Sequence, residues 1–439
     1  MKKFFSTIRN IFTIEDLRIR ILNTIGYLII FRLGSFVVLP GIDPSLLPDK
    51  AEGIFGLLDT MLGGAFSNAS VFGLGIMPYI SASIVIQLLT MAVPYFQKLQ
   101  KEGDSGRKKI NQITRVLTIA ITFAQGGAYL AAANITEAVV IENRYLFTVS
   151  SLTILTAGTV FCMWLGERIT DKGIGNGISM LIMIGIISRF PGSIIQEVLD
   201  KGMSQSLFLL LEFVGLFFVV MAVVLLTQAV RRIPVQYAKQ VVGNKVYGGQ
   251  RQYIPIKVNS SGVMPIIFAQ SLMFLPAMVA SYFADSSDVA QYIGATFSNF
   301  QSWQYNLTFA IMIILFTFFY TAISVNPNQI ADDMKRNGGF IPGVKPGAAT
   351  SEFIDTVLTR VTFPGSLFLA IVAILPAFAQ LAGVGINFAQ FYGGTSLLIM
   401  VGVILDTLQQ IESYLLMRHY EGMMKSGKIR GRSQNMAIA

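Results

Sequence analysis

The chain has 439 residues, 53% of them hydrophobic and only 13% charged, with a mean hydropathy of +0.61. That balance excludes a soluble multidomain enzyme and is spread over far more chain than one anchor needs, which leaves a polytopic membrane protein. The net charge of +9 sits in short segments between apolar runs, not on one soluble face, and a single cysteine (Cys162) and a single histidine (His419) offer neither an intrachain disulfide nor a metal cluster.

A helix needs about 20 apolar residues to cross the hydrocarbon core. On that length the sequence predicts ten spans, at 21–39, 71–93, 114–133, 148–166, 174–189, 206–230, 262–283, 307–325, 361–381 and 391–411. No small-residue cleavage site follows the first, so it is expected to be retained as a span and not removed as a signal peptide. Before the second span lies 54–68, IFGLLDTMLGGAFSN, too short to cross and too apolar for an ordinary wet loop. It is either an interfacial helix or a re-entrant one acting as a stopper, with Gly63-Gly64 as a flexible joint. The second span itself contains GIMPYISASIVIQ (75–87), which puts Pro78, hydroxyls and Gln87 inside an apolar run. Polar, interrupted backbone at membrane depth must face something other than lipid.

Orientation follows from Lys and Arg. All of them except Arg32, Lys50, Arg144, Arg189 and Lys201 fall in the N-terminal segment, in the loops after even-numbered spans or in the tail. Both termini are therefore expected on the cytoplasmic side. Ten spans divide into two sets of five, and an odd number per set makes the second an inverted copy of the first. An internal echo accompanies that division, GIMPYISA at 75–82 against GVMPIIFA at 262–269. The expected layout is a cytoplasmic segment 1–20, a first half 21–190, an external linker 191–205, a second half 206–412 and a cytoplasmic tail 413–439.

Away from the span ends, intramembrane charge is scarce, at Arg32, Glu212 and Asp406, too few and too scattered to relay a coupling ion. No GxxxxGK[ST] phosphate cradle is present, so work must come from a partner or a gradient. Two cytoplasmic loops suggest where a partner acts. Segment 231–261 is basic throughout and reads as a hairpin around Gly248-Gly249, and 326–360 carries the turn cluster GGFIPGVKPG. Both exceed what topology alone requires, and basic projections suit ribosomal RNA or an acidic motor surface.

The motifs GGAFSNASVFGLGIMPYISASIVIQLL (63–89), KEGDSGRKKINQITR (101–115), GERITDKGIGNGIS (166–179), IPIKVNSSGVMPIIFAQS (254–271), GGFIPGVKPG (338–347) and GGTSLLIMVGVILD (393–406) resemble, in order and over nearly the whole length, those of the SecY family. The resemblance implies an all-α polytopic membrane protein with ten transmembrane helices in two inverted halves around an hourglass pore. It further implies a protein-conducting channel subunit of the bacterial plasma membrane, without cofactor or catalytic chemistry. Such a channel passes unfolded secretory polypeptides, releases hydrophobic segments sideways into lipid, and is driven by an external motor or ribosome. Carried over, the apolar pore ring falls on Ile76, Ile80, Ile178, Ile182, Ile267 and Ile399. The plug falls on 54–68, with Leu57, Leu58, Met61, Leu62, Gly63 and Gly64. The lateral gate would use Gln87, Gln125 and Gln270, although static helix packing explains Gln125 as well. Partner contacts are expected at Arg231, Arg232, Arg251 and Lys345, where lysine keeps the family arginine's charge but not its bidentate fork. The implied partners are SecE-type and SecG-type small membrane subunits, the SecA ATPase, the ribosome, signal sequences and membrane lipid. A secondary transporter remains the rival reading, since inverted repeats and broken helices also carry small solutes.

Overall fold

The computed structural model describes residues 14–47, 59–131, 138–202, 205–237, 240–242, 245–247, 251–283, 288–299 and 301–425. Its helices, in chain order, are α1 (Glu15–Gly34), α2 (Met77–Ala92), α3 (Pro94–Lys101), α4 (Asp104–Ala131), α5 (Arg144–Lys172), α6 (Gly177–Lys201), α7 (Ser206–Gln228), α8 (Met264–Phe283), α9 (Asp288–Ser298), α10 (Trp303–Ser324), α11 (Pro327–Arg336), α12 (Ala348–Leu381), α13 (Ile386–Ala389) and α14 (Gly394–Lys425). Each of the ten expected spans lies on one of the long helices. Among the described residues, six helices are long and apolar enough to cross a membrane, or seven if α2 and α3, bent by 97° at their junction, count as one span. Wide apolar faces such as Leu207, Phe208, Leu211, Phe217 and Phe218 on α7 are exposed, as lipid contact requires.

Helix ends depart from the expected spans for a physical reason. An apolar window sees only the membrane-embedded stretch, whereas Lys, Arg, Gln and Glu continue a helix into water at little cost. Thus α4 begins at Asp104 and α12 at Ala348, both well before their apolar cores. The most consequential shift is in α6. Expected to end at 189 and give way to a linker at 191–205, it continues through Pro191 to Lys201 and closes on Gly202, whose φ of +56° favours glycine. The link to α7 is therefore only a few residues long.

The second span departs the other way. Residues 70–76 form turns and α2 starts only at Met77, so Pro78 does not break a helix but occupies its first turn, where a missing N–H costs nothing. The same design recurs in the other half: Gly75 (φ +51°) precedes α2 by two residues, and Gly262 (φ +65°) precedes α8 by two residues. The echo seen in sequence is thus an echo of backbone conformation.

The two long loops, expected on the cytoplasmic side, fold together. Strand β1 (Val230–Tyr237) pairs antiparallel with β4 (Arg251–Lys257), and β2 (Gln240–Val242) with β3 (Lys245–Tyr247), in one common register. That register puts the apex of a single long hairpin between Val242 and Lys245, not at Gly248-Gly249, which lie outside the described residues. The expected turn followed the glycine pair, but the pairing of Val230 with Lys257 and of Gln240 with Tyr247 fixes the centre five residues earlier in the chain. The second loop supplies β5 (Gly339–Phe340), which joins the other edge of β1. Ile233, Val235, Ile256, Met334, Ile341, Ile354 and Leu358 bury a small core beneath this sheet.

At the opposite end, a buried ionic cluster ties α6 to the second half. The Lys201 ammonium lies between the Glu197 carboxylate, at 2.9 Å, and the Glu212 carboxylate of α7. Glu197 also accepts from the Gly385 amide (3.0 Å), Asn387 donates to Gln196 (3.0 Å), and the Tyr392 hydroxyl donates to the Glu212 carbonyl. Removing one partner of a buried ion pair leaves an uncompensated charge, at about 3–5 kcal/mol. Lys201→Met is therefore expected to destabilise the detergent-solubilised protein by about that amount, read from thermal melting. A loss below about 1 kcal/mol would mean that the cluster does not hold the halves together.

Candidate functional site

The segment from Asp59 to Ala65 is folded back into the interior and buried throughout. Of the expected plug residues, Met61, Leu62, Gly63 and Gly64 belong to it, while Leu57 and Leu58 lie outside the described residues. Gly63 and Gly64 have φ of +65° and +94°, which side-chain-bearing residues rarely adopt, so the joint expected there is a real requirement of the turn. The packing is close: a Cβ on Gly185 of α6 would run into the Met61 carbonyl, and one on Gly75 into the Leu62 side chain.

Polar contacts fasten the same segment. The Asp59 carboxylate is paired with the Arg189 guanidinium of α6 and also accepts from the Ser67 amide at 2.9 Å. Arg32, at the end of α1, donates to the Gly63 carbonyl at 3.0 Å, and the Thr60 hydroxyl donates to the Gln390 side chain at 2.5 Å. Contacts thus reach the segment from α1, from α6 and from the loop before α14.

Beside it, four helices contribute the six isoleucines named from the resemblance. Ile76 caps the start of α2 and Ile80 lies one turn on; Ile178 and Ile182 come from the first turns of α6, Ile267 from α8 and Ile399 from α14. Ile76, Ile80, Ile182, Ile267 and Ile399 are each at most 4% exposed and share one continuous apolar cluster with Met61 and Leu62, against which the half-buried Ile178 packs. Gly166 of α5 leaves room where Ile76 and Ile178 converge, since a Cβ there would touch both. Branched apolar side chains packed in this way offer water no hydrogen-bond partner.

Adjoining this cluster is a polar cavity of about 270 Å³ whose lining includes Asn176, Ser179, Lys257, Asn259, Asp406 and Gln409 and reaches Ile266. Lys257 donates to Gln409 at 3.1 Å across its rim. Asp406 therefore lines a polar cavity, Glu212 joins an ionic cluster and Arg32 holds a backbone carbonyl. The three intramembrane charges do not converge on any common point, as an ion carrier would need.

The three expected gate glutamines separate. Helix α8 lies against both α2 and α4. Gln87 donates to Ser83 of its own helix at 3.3 Å and faces the Tyr320 hydroxyl of α10, thereby spanning the two halves. Gln125 lines a small cavity with Ser81 of α2 and Ser271 of α8, also at the seam. Gln270 turns away from it and faces Tyr305 of α10, lining a different pocket with Gln390 and Thr395. Its neighbour Ser271 holds the seam position instead. Arg231 and Arg232 are exposed on β1, Arg251 opens β4 opposite Gln236, and Lys345 is exposed after β5. These four therefore belong to one platform built from the two long loops.

Asp59, Thr60, Arg189 and Gln390 were not anticipated. A signal existed for two of them: Asp59 is the only charged residue between Glu52 and Lys98, and Arg189 is an isolated base at the end of an apolar run. Charges of opposite sign stranded in such surroundings usually find each other. Thr60 and Gln390, separated by 330 positions, carried none.

Comparison with known proteins agrees with this geometry. The SecY family model matches residues 70–408. The protein translocase subunit SecY of Streptomyces scabiei is 43% identical over 431 residues, covering 94% of this chain and 98% of that one. Among solved structures, one described as the structure of a protein conducting channel superposes with a TM-score of 0.64 at 16% identity, over 90% of this chain and 92% of the other. Sec61 in the canine ribosome-channel complex from the endoplasmic reticulum superposes at 0.59 with 15% identity, over the same two shares.

Proposed function

The chain belongs to the SecY family and is a protein-conducting channel subunit in a membrane it crosses many times; from that premise we propose how its parts divide the work. The isoleucine cluster is the waist of the channel, the segment around Asp59–Ala65 is the plug beyond it, and the polar cavity beside Ile266 is the vestibule through which unfolded polypeptide enters. The observation that carries this reading is the meeting of Ile76, Ile80, Ile182, Ile267 and Ile399, from four helices of both halves, in one apolar cluster capped by a buried, folded-back segment.

At rest the waist stays dry, because branched apolar side chains offer water no partner. During transport the same side chains yield around any passing residue without holding it. The seam of α2 and α4 against α8 is the lateral gate, held at Gln87–Tyr320 and around Gln125, Ser81 and Ser271. Polar contacts of that kind contribute about 0.6–2 kcal/mol each. A signal sequence with ten leucines gains about 3–6 kcal/mol on entering lipid, enough to displace them.

The cytoplasmic platform that carries Arg231, Arg232, Arg251 and Lys345 is the docking surface for what drives transport, the SecA ATPase or a ribosome. Support comes from its exposed arginines and from the ribosome-bound state of the canine structural neighbour. The remaining partners are small subunits of SecE and SecG type. The distribution of lysine and arginine supports cytoplasmic termini in a bacterial plasma membrane. The division into halves is best drawn within 202–205, where α6 gives way to α7.

The test is site-specific photocrosslinking from Ile80 during export of a stalled secretory precursor. Crosslinks to the precursor are expected at Ile80 and at Ile267. Their absence from both, with the precursor engaged, would remove the waist from the path.

A further inference from the structure

The folded-back segment carries a single charge. From 53 to 97 every residue is uncharged except Asp59, so whatever displaces the plug must move this one carboxylate. Asp59 is itself only 4% exposed. Its counter-charges belong to the wall: Arg189 is paired with it from α6, and Arg32 lies near Arg189 at the end of α1, donating to Gly63. A negative charge on the plug therefore sits against positive ones on the wall, at the last turn of α1 and midway along α6.

We propose that Asp59 is a gating charge, through which the membrane potential acts directly on the plug. The sign is definite. A plasma membrane that is negative inside drives an anion outward, and outward is the direction in which a plug beyond the waist clears the path. Energisation thus weakens the hold of Arg189 on Asp59, while a de-energised membrane leaves the latch at full strength. Moving one elementary charge across the entire field changes an equilibrium about 50-fold per 100 mV. Crossing a third of it gives about 3- to 4-fold, so the effect biases opening and does not replace the signal sequence or the motor. The proposal rests on the channel reading, because it assigns a regulator to the same plug.

Two properties separate a gating charge from a mere structural ion pair. Losing the pair changes how often the resting channel opens; losing the charge changes how opening depends on voltage. The experiment records the full chain, with its small partner subunits, in planar bilayers from −100 to +100 mV. It uses wild type, Asp59→Asn, Asp59→Lys and Arg189→Met. Arg189→Met is expected to raise opening at all voltages while keeping the wild-type slope of log open probability against voltage. Asp59→Asn is expected to raise opening and flatten the slope, and Asp59→Lys to invert it. A slope in Asp59→Asn or Asp59→Lys equal to that of wild type overturns the proposal. Such a failure leaves the Ile80 crosslink in place, whereas failure of the channel reading removes that crosslink whatever the slope.

Discussion

Replacing Ile399 with asparagine is expected to make the idle channel leak. Ile399 is wholly buried on α14, and Ile267 of α8, with 1% of its surface exposed, belongs to the same apolar cluster. An amide in that position has no partner within the waist. Burying a polar group without a hydrogen bond costs about 1–3 kcal/mol, a cost the site escapes by admitting water. At about 1.4 kcal/mol per decade, the wetted fraction rises roughly 5- to 150-fold. Resting conductance in planar bilayers should follow, and precursors with defective signal sequences should pass more readily, because less energy is then needed to open what is already partly wet. Ile267→Asn should behave alike. If both variants keep wild-type conductance and wild-type discrimination between signals, the cluster is ordinary core and the waist lies elsewhere.

The second large effect is expected at a residue far from the waist in chemical character. Gly185 lies where α6 passes directly over the backbone of the plug, and a Cβ there meets the Met61 carbonyl and then the Gly63 amide nitrogen. Backbone cannot turn aside as a flexible side chain can, so Gly185→Val forces the segment off its seat. Overpacking of this kind costs about 1–3 kcal/mol, comparable with the polar contacts that hold the segment in place. The expected result is a high resting conductance with the waist itself unaltered. Gly192, on the same helix with no neighbour within 4 Å of its added Cβ, supplies the control: Gly192→Val should leave conductance unchanged. Equal conductance in the two variants would show that the segment does not seal the channel.

Much of this architecture was legible because it follows from length and polarity. Each of the ten apolar stretches overlaps a long helix, and the paired GIMP and GVMP motifs marked two matched helix starts. What a window of hydropathy could not register is where helices continue beyond the apolar stretch, so the extent of α6 through Pro191 to Lys201 was missed and a linker expected in its place. The hairpin was foreseen but centred on Gly248-Gly249, which lie outside the described residues, because register is set by pairing along β1 with β4 and β2 with β3, not by glycine content. The gate glutamines show the limit for side chains. Gln270 and Ser271 are adjacent, and helical geometry turns neighbours about 100° apart. One-residue precision is needed to say which faces the seam, and the motif did not carry it. Contacts between distant positions, such as Thr60 with Gln390, depend on the assembled fold and leave no trace in local pattern.

The union of the two cytoplasmic loops has a mechanical consequence. Strand β1 leaves α7 after a single residue, β4 leads within six residues into α8, and β5 is inserted between α11 and α12. Backbone hydrogen bonds along β1 with β4 and β5 make these roots one stiff body. A load placed on the β1–β4 ribbon is then not absorbed by a slack tether but delivered as torque at the base of α8, the helix that lies against α2 and α4. Whatever grips the projection holds a crank handle.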